Sequence, residues 1–195
     1  MAKAKAITYL DTQAPVAVNA RLIARERLAE LYQWEQAVDD PGNIRGLHDM
    51  RIAAKRLRYT FEVFEEVLPA AGKAMVEELT RLQDELGALH DSDVMIALLQ
   101  MCLSEGQSDT AAKNGTGAKV ASSYTKPLVS ADMAAYLLDP RASPTEEQRR
   151  GLEEFLHQQE DLREQRYSTF LQHWRQLQER DFRREVLDVL DVPGE

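Results

Sequence analysis

Between Ile44 and Leu68, apolar residues recur every three or four positions: Met50, Ala53, Ala54, Leu57, Phe61, Phe64 and Leu68. At about 100° per residue they fall on one stripe of an α-helix, and such a stripe has to be buried. The chain is thereby limited to folds that pack a long helix by one face. Alternating runs of β-branched and aromatic residues are missing, which leaves strands little support. Leu, Ala, Glu, Gln, Arg and Lys dominate, and all favour helix. Nine glycines and seven prolines are few enough for most of the 195 residues to be regular, and a 44% hydrophobic content supplies a core. The expectation is an all-α fold, an antiparallel helical bundle with a long C-terminal helix, in a single domain over 1–195.

Breakers set the expected boundaries. Residues 1–14 read as a loose arm. A first helix runs from about Pro15 to Ala37, with Pro15 suited to the first turn. Asp39, Asp40, Pro41, Gly42 and Asn43 form a break. The second helix covers about Ile44 to Leu68 and stops near Pro69. The third runs from about Lys73 to Leu86, with Gly87 at its C′ position. A fourth starts at Asp91 or Ser92, either a good N-cap, and ends near Leu103. Residues 104–143 are rich in Ser, Gly, Thr, Ala and Asn and read as a flexible loop or linker, with room for one short helix in LVSADMAAYLLDP. Ser143, Pro144 and Glu146 then supply a cap, a first-turn proline and an early acid. The last helix is long, from about Pro144 to Leu190, with a kink near Asp181.

Charge narrows the function. The formal net charge is −9, which at first sight opposes any polyanionic partner. The distribution says otherwise. Arg45, Arg51, Lys55, Arg56 and Arg58 crowd one short stretch in which Asp49 is the lone acid. At physiological salt the Debye length is about 8 Å, so distant acids are screened from such a surface. Cys102 is the single cysteine, which forbids an internal disulfide and suits a reducing compartment. The N-terminal stretch has two lysines and no apolar h-region, so no signal peptide is expected. No apolar run reads as long enough to span a bilayer. The expected location is cytoplasmic, without a membrane partner.

Within the second helix, His48, Arg51, Lys55 and Arg58 stand at i, i+3, i+7 and i+10. They share a second stripe, a quarter to a third of a turn from the apolar one. Arg56 points to the other side. Like charges three or four residues apart cost a few tenths of a kcal/mol each, so a helix built for stability alone would intersperse glutamates. A polyanion turns that repulsion into attraction, because phosphate oxygens accept from arginine forks two bonds at a time. Ten residues of helix rise about 15 Å, enough for several consecutive phosphates. The same spacing also describes a solvated basic face that is salt-bridged to acids on a neighbouring helix.

The pattern His48-x-x-Arg51-x-x-x-Lys55-Arg56-x-Arg58-Tyr59 resembles the signature helix of the CHAD (conserved histidine α-helical domain) family. The stretch from Thr80 to Val94, with Leu86-Gly87 and Asp91, resembles the helix and turn that follow it in that family. Together the two segments cover residues 44–103. The resemblance implies a bundle of two pseudo-symmetric halves around a basic channel. It also implies binding of inorganic polyphosphate without catalysis, and association with polyphosphate granules. His48, Arg51, Lys55 and Arg58 are carried over as ligands, with Arg56 and Tyr59 matching the signature as well. A full-length member carries the signature helix twice, whereas one copy stands here. This chain therefore reads as a half or reduced version, and a homodimer is expected to complete it.

Other basic residues are secondary candidates. Arg21 and Arg25 flank Ala20, Ala24, Leu28 and Leu31 on the first helix. On the last, Arg163, Arg166 and His173 lie on or beside the stripe formed by Leu152, Phe155, Leu156, Leu162, Phe170, Trp174 and Leu177. A buried arginine needs an anionic partner, either a core carboxylate or a bound phosphate. Two further readings compete. His48-Asp49 and His90-Asp91 suggest a metal-dependent phosphohydrolase of the HD type, although adjacent side chains diverge on a helix. A helical protein-interaction scaffold is the other. No metal-finger spacing, phosphate loop or nucleophile elbow is present, and no cofactor is expected. Nucleic acid is expected only as a non-specific competitor of polyphosphate.

Overall fold

The computed structural model describes residue 4 and residues 6–105 and 144–192. The linker expected over 104–143, apart from its first two residues, and the short helix expected within it lie outside the described residues. Five α-helices and one 3-10 turn follow in order among the described residues: α1 (Val16–Tyr32), the turn Glu35–Asp39, α2 (Ile44–Val63), α3 (Gly72–Glu105), α4 (Glu146–Glu179) and α5 (Phe182–Asp191). No strand is present among them, and the all-α expectation holds. The chain divides into two compact units. One comprises Met1–Ala88 and Tyr167–Glu195, the other Leu89–Arg166.

In the first unit, α1 packs on α2 through small residues. Ala20 and Ala24 of α1 and Ala53 and Ala54 of α2 are all buried, and their short side chains let the two helices approach closely. Met50, Leu57 and Phe61 complete the α2 stripe in the core, Leu68 joins them from beyond the helix, and Phe64 is half-buried. Met75, Leu79, Leu82 and Leu86 bring α3 into the same core, and Phe170, Trp174 and Leu177 bring α4. The α2 helix starts on Asn43, whose side chain accepts from the amide of Gly46 at 2.9 Å. It stops at Val63, short of the expected Leu68. Residues 64–68 form turns that lead to Pro69, which has no amide proton to extend a helix and disfavours helical geometry in the residue before it.

The first helix also ends earlier than expected, at Tyr32 rather than Ala37. Tertiary contacts outweigh its propensity. Ala37 and Val38 are drawn inward by the 3-10 turn, and the Val38 carbonyl accepts from the Tyr167 hydroxyl at 2.6 Å. Ala37 presses on Gly46 so closely that an added Cβ there would lie 2.5 Å from the Ala37 methyl. Only glycine permits that approach.

The largest correction concerns Gly87. It ends no helix, because α3 runs unbroken from Gly72 to Glu105. Asp91 and Ser92 consequently cap nothing. Leu79, Leu82, Leu86 and Leu89 continue the buried register through the glycine, and that burial outweighs the roughly 1 kcal/mol cost of an interior glycine. The stretch Gly72–Ser104 is also long and apolar enough to cross a membrane, by length and composition, contrary to the sequence expectation. Its Met75, Leu79, Leu82 and Leu86, however, serve the core of the first unit.

The long last helix is two helices. It begins at Glu146 on a capping box in which Thr145 and Gln148 each bond the other's amide, at 3.3 and 2.9 Å. It breaks at Asp181, which adopts left-handed geometry (φ 53°) and caps α5 by accepting from Arg184 N at 3.2 Å. Aspartate tolerates that conformation better than most residues. In the second unit the stripe of α4 is only partly covered. Phe155 is exposed, and Leu152, Leu156 and Leu162 are half-buried.

A candidate anion-binding edge on helix α2

His48, Arg51, Lys55 and Arg58 all lie within α2, in the first unit, so their spacing of three, four and three residues sets them along one edge of one helix. The neighbouring residues on the inner face, Leu47, Met50, Ala54 and Leu57, are buried. The edge therefore runs along the rim of the core. His48, Arg51 and Arg58 are half-buried and Lys55 is exposed.

What holds each cation differs. Among the described residues, neither Arg51 nor Lys55 has a carboxylate partner. The Arg51 side chain lies against Gly87 of α3, where its Nε and Nη2 would stand 3.4 and 3.9 Å from an added Cβ. That Nε is buried and makes no hydrogen bond. Lys55 sits 5.5 Å from the centre of the Tyr59 ring, and the Arg58 guanidinium 4.8 Å from it. Tyr59 is itself 44% exposed. Arg58 is salt-bridged in the manner of a solvated face, to Glu62 one turn on at 3.2 Å. Arg56 points away from the edge, toward Glu30 of α1 at 3.9 Å. The edge thus presents two cations without acid partners, a third weakly paired, an imidazole and an exposed ring.

The secondary candidates are engaged elsewhere. Arg21 donates to the carbonyls of Ala17 and Val192, and Arg25 pairs with Asp191, which ties α1 to the C-terminal end of α5. In the second unit, Arg163 donates to Asp93 at 2.5 Å and Arg166 to the Ser92 hydroxyl at 2.6 Å. The Asp93 carboxyl is pushed above its ordinary range, because burial outweighs the opposing pull of Arg163 and His90. In the first unit, buried His173 lies between Glu85, at 2.7 Å, and Glu78, at 3.5 Å, which is also bridged by Arg180 at 3.0 Å.

Two residues escape a reading of the sequence. Gly87 lies against the Arg51 side chain and ends no helix. Its signal is the leucine register that continues past it. Glu62 competes for Arg58. Its signal is the spacing of four residues on a helix. The pairs His48-Asp49 and His90-Asp91 do not share a unit. Among the described residues, no group of three or more His, Cys, Asp or Glu side chains is close enough to hold a metal ion.

Comparison with known proteins adds one match. The family model of the CHAD domain covers residues 2–100, a span that takes in α1, α2 and most of α3. No curated protein and no solved structure matches the chain.

Proposed function

The chain belongs to the CHAD family, and we propose that it binds inorganic polyphosphate, or a polyanion of similar charge spacing, along the α2 edge without transforming it. One observation carries the reading: Arg51 and Lys55 lack acid partners among the described residues, while Arg21 and Arg25 of α1 and Arg163 and Arg166 of α4 are engaged. A half-buried cation without an acid partner, as Arg51 is, costs free energy in the empty protein. A chain of phosphates repays that cost with charge-assisted hydrogen bonds.

In this reading Arg51 and Arg58 grip phosphate oxygens with their guanidinium forks, and Lys55 adds a point charge. His48 closes one end of the edge and Tyr59 lends a hydroxyl and a ring face at the other. Arg56 contributes long-range attraction only. Arg21, Arg25, Arg163 and Arg166 rank second, since each first has to release a present partner. Further expectations follow from the same reading: cytoplasmic location at polyphosphate granules, a homodimer that supplies a second edge, and nucleic acid as a non-specific competitor.

The test is calorimetric titration with long-chain polyphosphate beside single-stranded DNA of matched charge. The wild-type chain is expected to prefer polyphosphate. Its log affinity should fall linearly with log salt, because each neutralised phosphate releases counterions. Arg51→Glu with Arg58→Glu removes two charge-assisted contacts and is expected to weaken binding by about 100-fold or more, with helicity unchanged by circular dichroism. Unchanged affinity in that double variant, or a flat salt titration, refutes the site.

A further inference from the structure

We infer that Gly87 is a positioning residue, whose missing side chain seats the Arg51 guanidinium and so sets the Arg51 anion contact of the α2 edge. The inference rests on the reading of that edge as a polyphosphate site. Gly87 lies deep inside α3, where glycine is the least favourable residue after proline. No backbone conformation calls for it, as no described glycine has a positive φ. Steric crowding from the core does not call for it either. Within 4 Å, an added Cβ would meet only two atoms beyond its own helix backbone and chain neighbours, the Nε and Nη2 of Arg51. The bare patch of α3 and the Arg51 side chain are therefore matched to each other.

Arg51 gains from such a seat because no ion pair anchors it among the described residues. Its Nε makes no hydrogen bond, and among the described residues no carboxylate holds its guanidinium. Arginine has many rotamers, and each one immobilised on binding weakens affinity. Lying across Gly87, the guanidinium is held by shape in the absence of the ligand, with its remaining donors left for phosphate.

The contact distances grade the effect of substitution. An alanine methyl at 3.4 Å from Nε is in ordinary van der Waals contact and leaves Arg51 in place. Valine adds two γ-carbons, which fill two of the three staggered positions about Cβ, and in a helix it holds one rotamer almost exclusively. It is also a better helix former than glycine, so a loss of binding is not a loss of helix.

The experiment titrates long-chain polyphosphate into the full chain carrying Gly87→Ala, Gly87→Val, Arg51→Ala, or the last two together, at several salt concentrations. Gly87→Ala is expected within about twofold of wild type. Gly87→Val is expected to weaken binding about tenfold, close to Arg51→Ala, and to flatten the salt slope by about one phosphate contact. In the Arg51→Ala background, Gly87→Val should add nothing. Wild-type affinity in Gly87→Val, or an equal loss in both backgrounds, overturns the inference. Should Gly87→Val fail to fold, the wild-type chain supplies the second measurement: a nuclear Overhauser contact between the Arg51 Nε proton and the Gly87 α-protons, whose absence overturns the seat. A wild-type chain that does not bind polyphosphate overturns the site itself, an outcome distinct from a binding wild type with an indifferent Gly87→Val variant.

Discussion

Arg58 and Arg163 are buried to nearly the same depth, at 18% and 16% side-chain exposure, yet they are held in different ways. Arg163 faces Asp93, a carboxylate only 3% exposed, at 2.5 Å. Arg58 faces Glu62, 40% exposed, at 3.2 Å, and its neighbour on the edge, Arg51, has a glycine in place of an acid. A cation with a buried carboxylate is part of the scaffold, since removing either partner strands the other. A cation whose partner is a solvated glutamate, or no acid at all, keeps its charge available. Under the proposed function, the contrast would let a chain of net charge −9 address a polyanion. What counts is which positive charges lack near partners, and that is a local property.

The sharpest way to break the contrast is to truncate one arginine from each set. Arg51→Ala is expected to weaken polyphosphate binding by about tenfold and to leave the unfolding midpoint nearly unchanged. Arg163→Ala is expected to do the reverse. It leaves Asp93 buried without its cation, at a cost of about 3–5 kcal/mol, with a smaller change in affinity than Arg51→Ala. Urea unfolding and calorimetric titration of the two variants decide the matter. Equal effects on affinity would erase the distinction between the sets.

Less dramatic is the effect of the partner glutamate. Glu62→Gln removes the acid that pairs with Arg58 among the described residues and takes a negative charge from beside the edge. Exposed pairs one turn apart are worth about 0.3–0.5 kcal/mol. Polyphosphate affinity is therefore expected to rise about twofold, and more at low salt than at high salt. An unchanged affinity at low salt would mean that Arg58 is not part of the contact.

Much of this was legible in the chain itself, and the failures have identifiable causes. The stripe from Met50 to Phe61 and the basic edge beside it follow from helical period alone, because both lie within one helix. The seat for Arg51 does not, because it depends on how α3 meets α2. A glycine reads as a stop when taken singly, and Gly87 reads so although Leu82, Leu86 and Leu89 keep their register around it. The end of α1 at Tyr32 likewise depends on a remote group, the Tyr167 hydroxyl that claims the Val38 carbonyl. On α4 the apolar period is real, but Phe155 remains 40% exposed, since periodicity identifies a face and not its cover. The partners of Arg163 and Arg166 lie some seventy residues away in sequence, beyond the reach of local spacing.

The smallest expected effect tests the scaffold side of the contrast through pH. Burial holds the Asp93 carboxyl above its ordinary value despite Arg163. A carboxyl whose pKa is higher in the folded state than in the unfolded chain binds its proton more tightly when folded. Its contribution to stability is fully present below the unfolded value, about 3.9, and is lost as pH rises through the raised folded value. Wild type is therefore expected to lose stability relative to Asp93→Asn as pH climbs from about 4 toward neutrality, because the amide has no proton to release. Urea midpoints for both proteins, taken at intervals across that range, give the difference directly. A difference that stays flat would place Asp93 in an ordinary ion pair, as well solvated as Glu62. A difference that grows toward neutrality would confirm that Arg163 stabilises a charge the surrounding helices disfavour, whereas Arg51 and Lys55 have no carboxylate partner among the described residues.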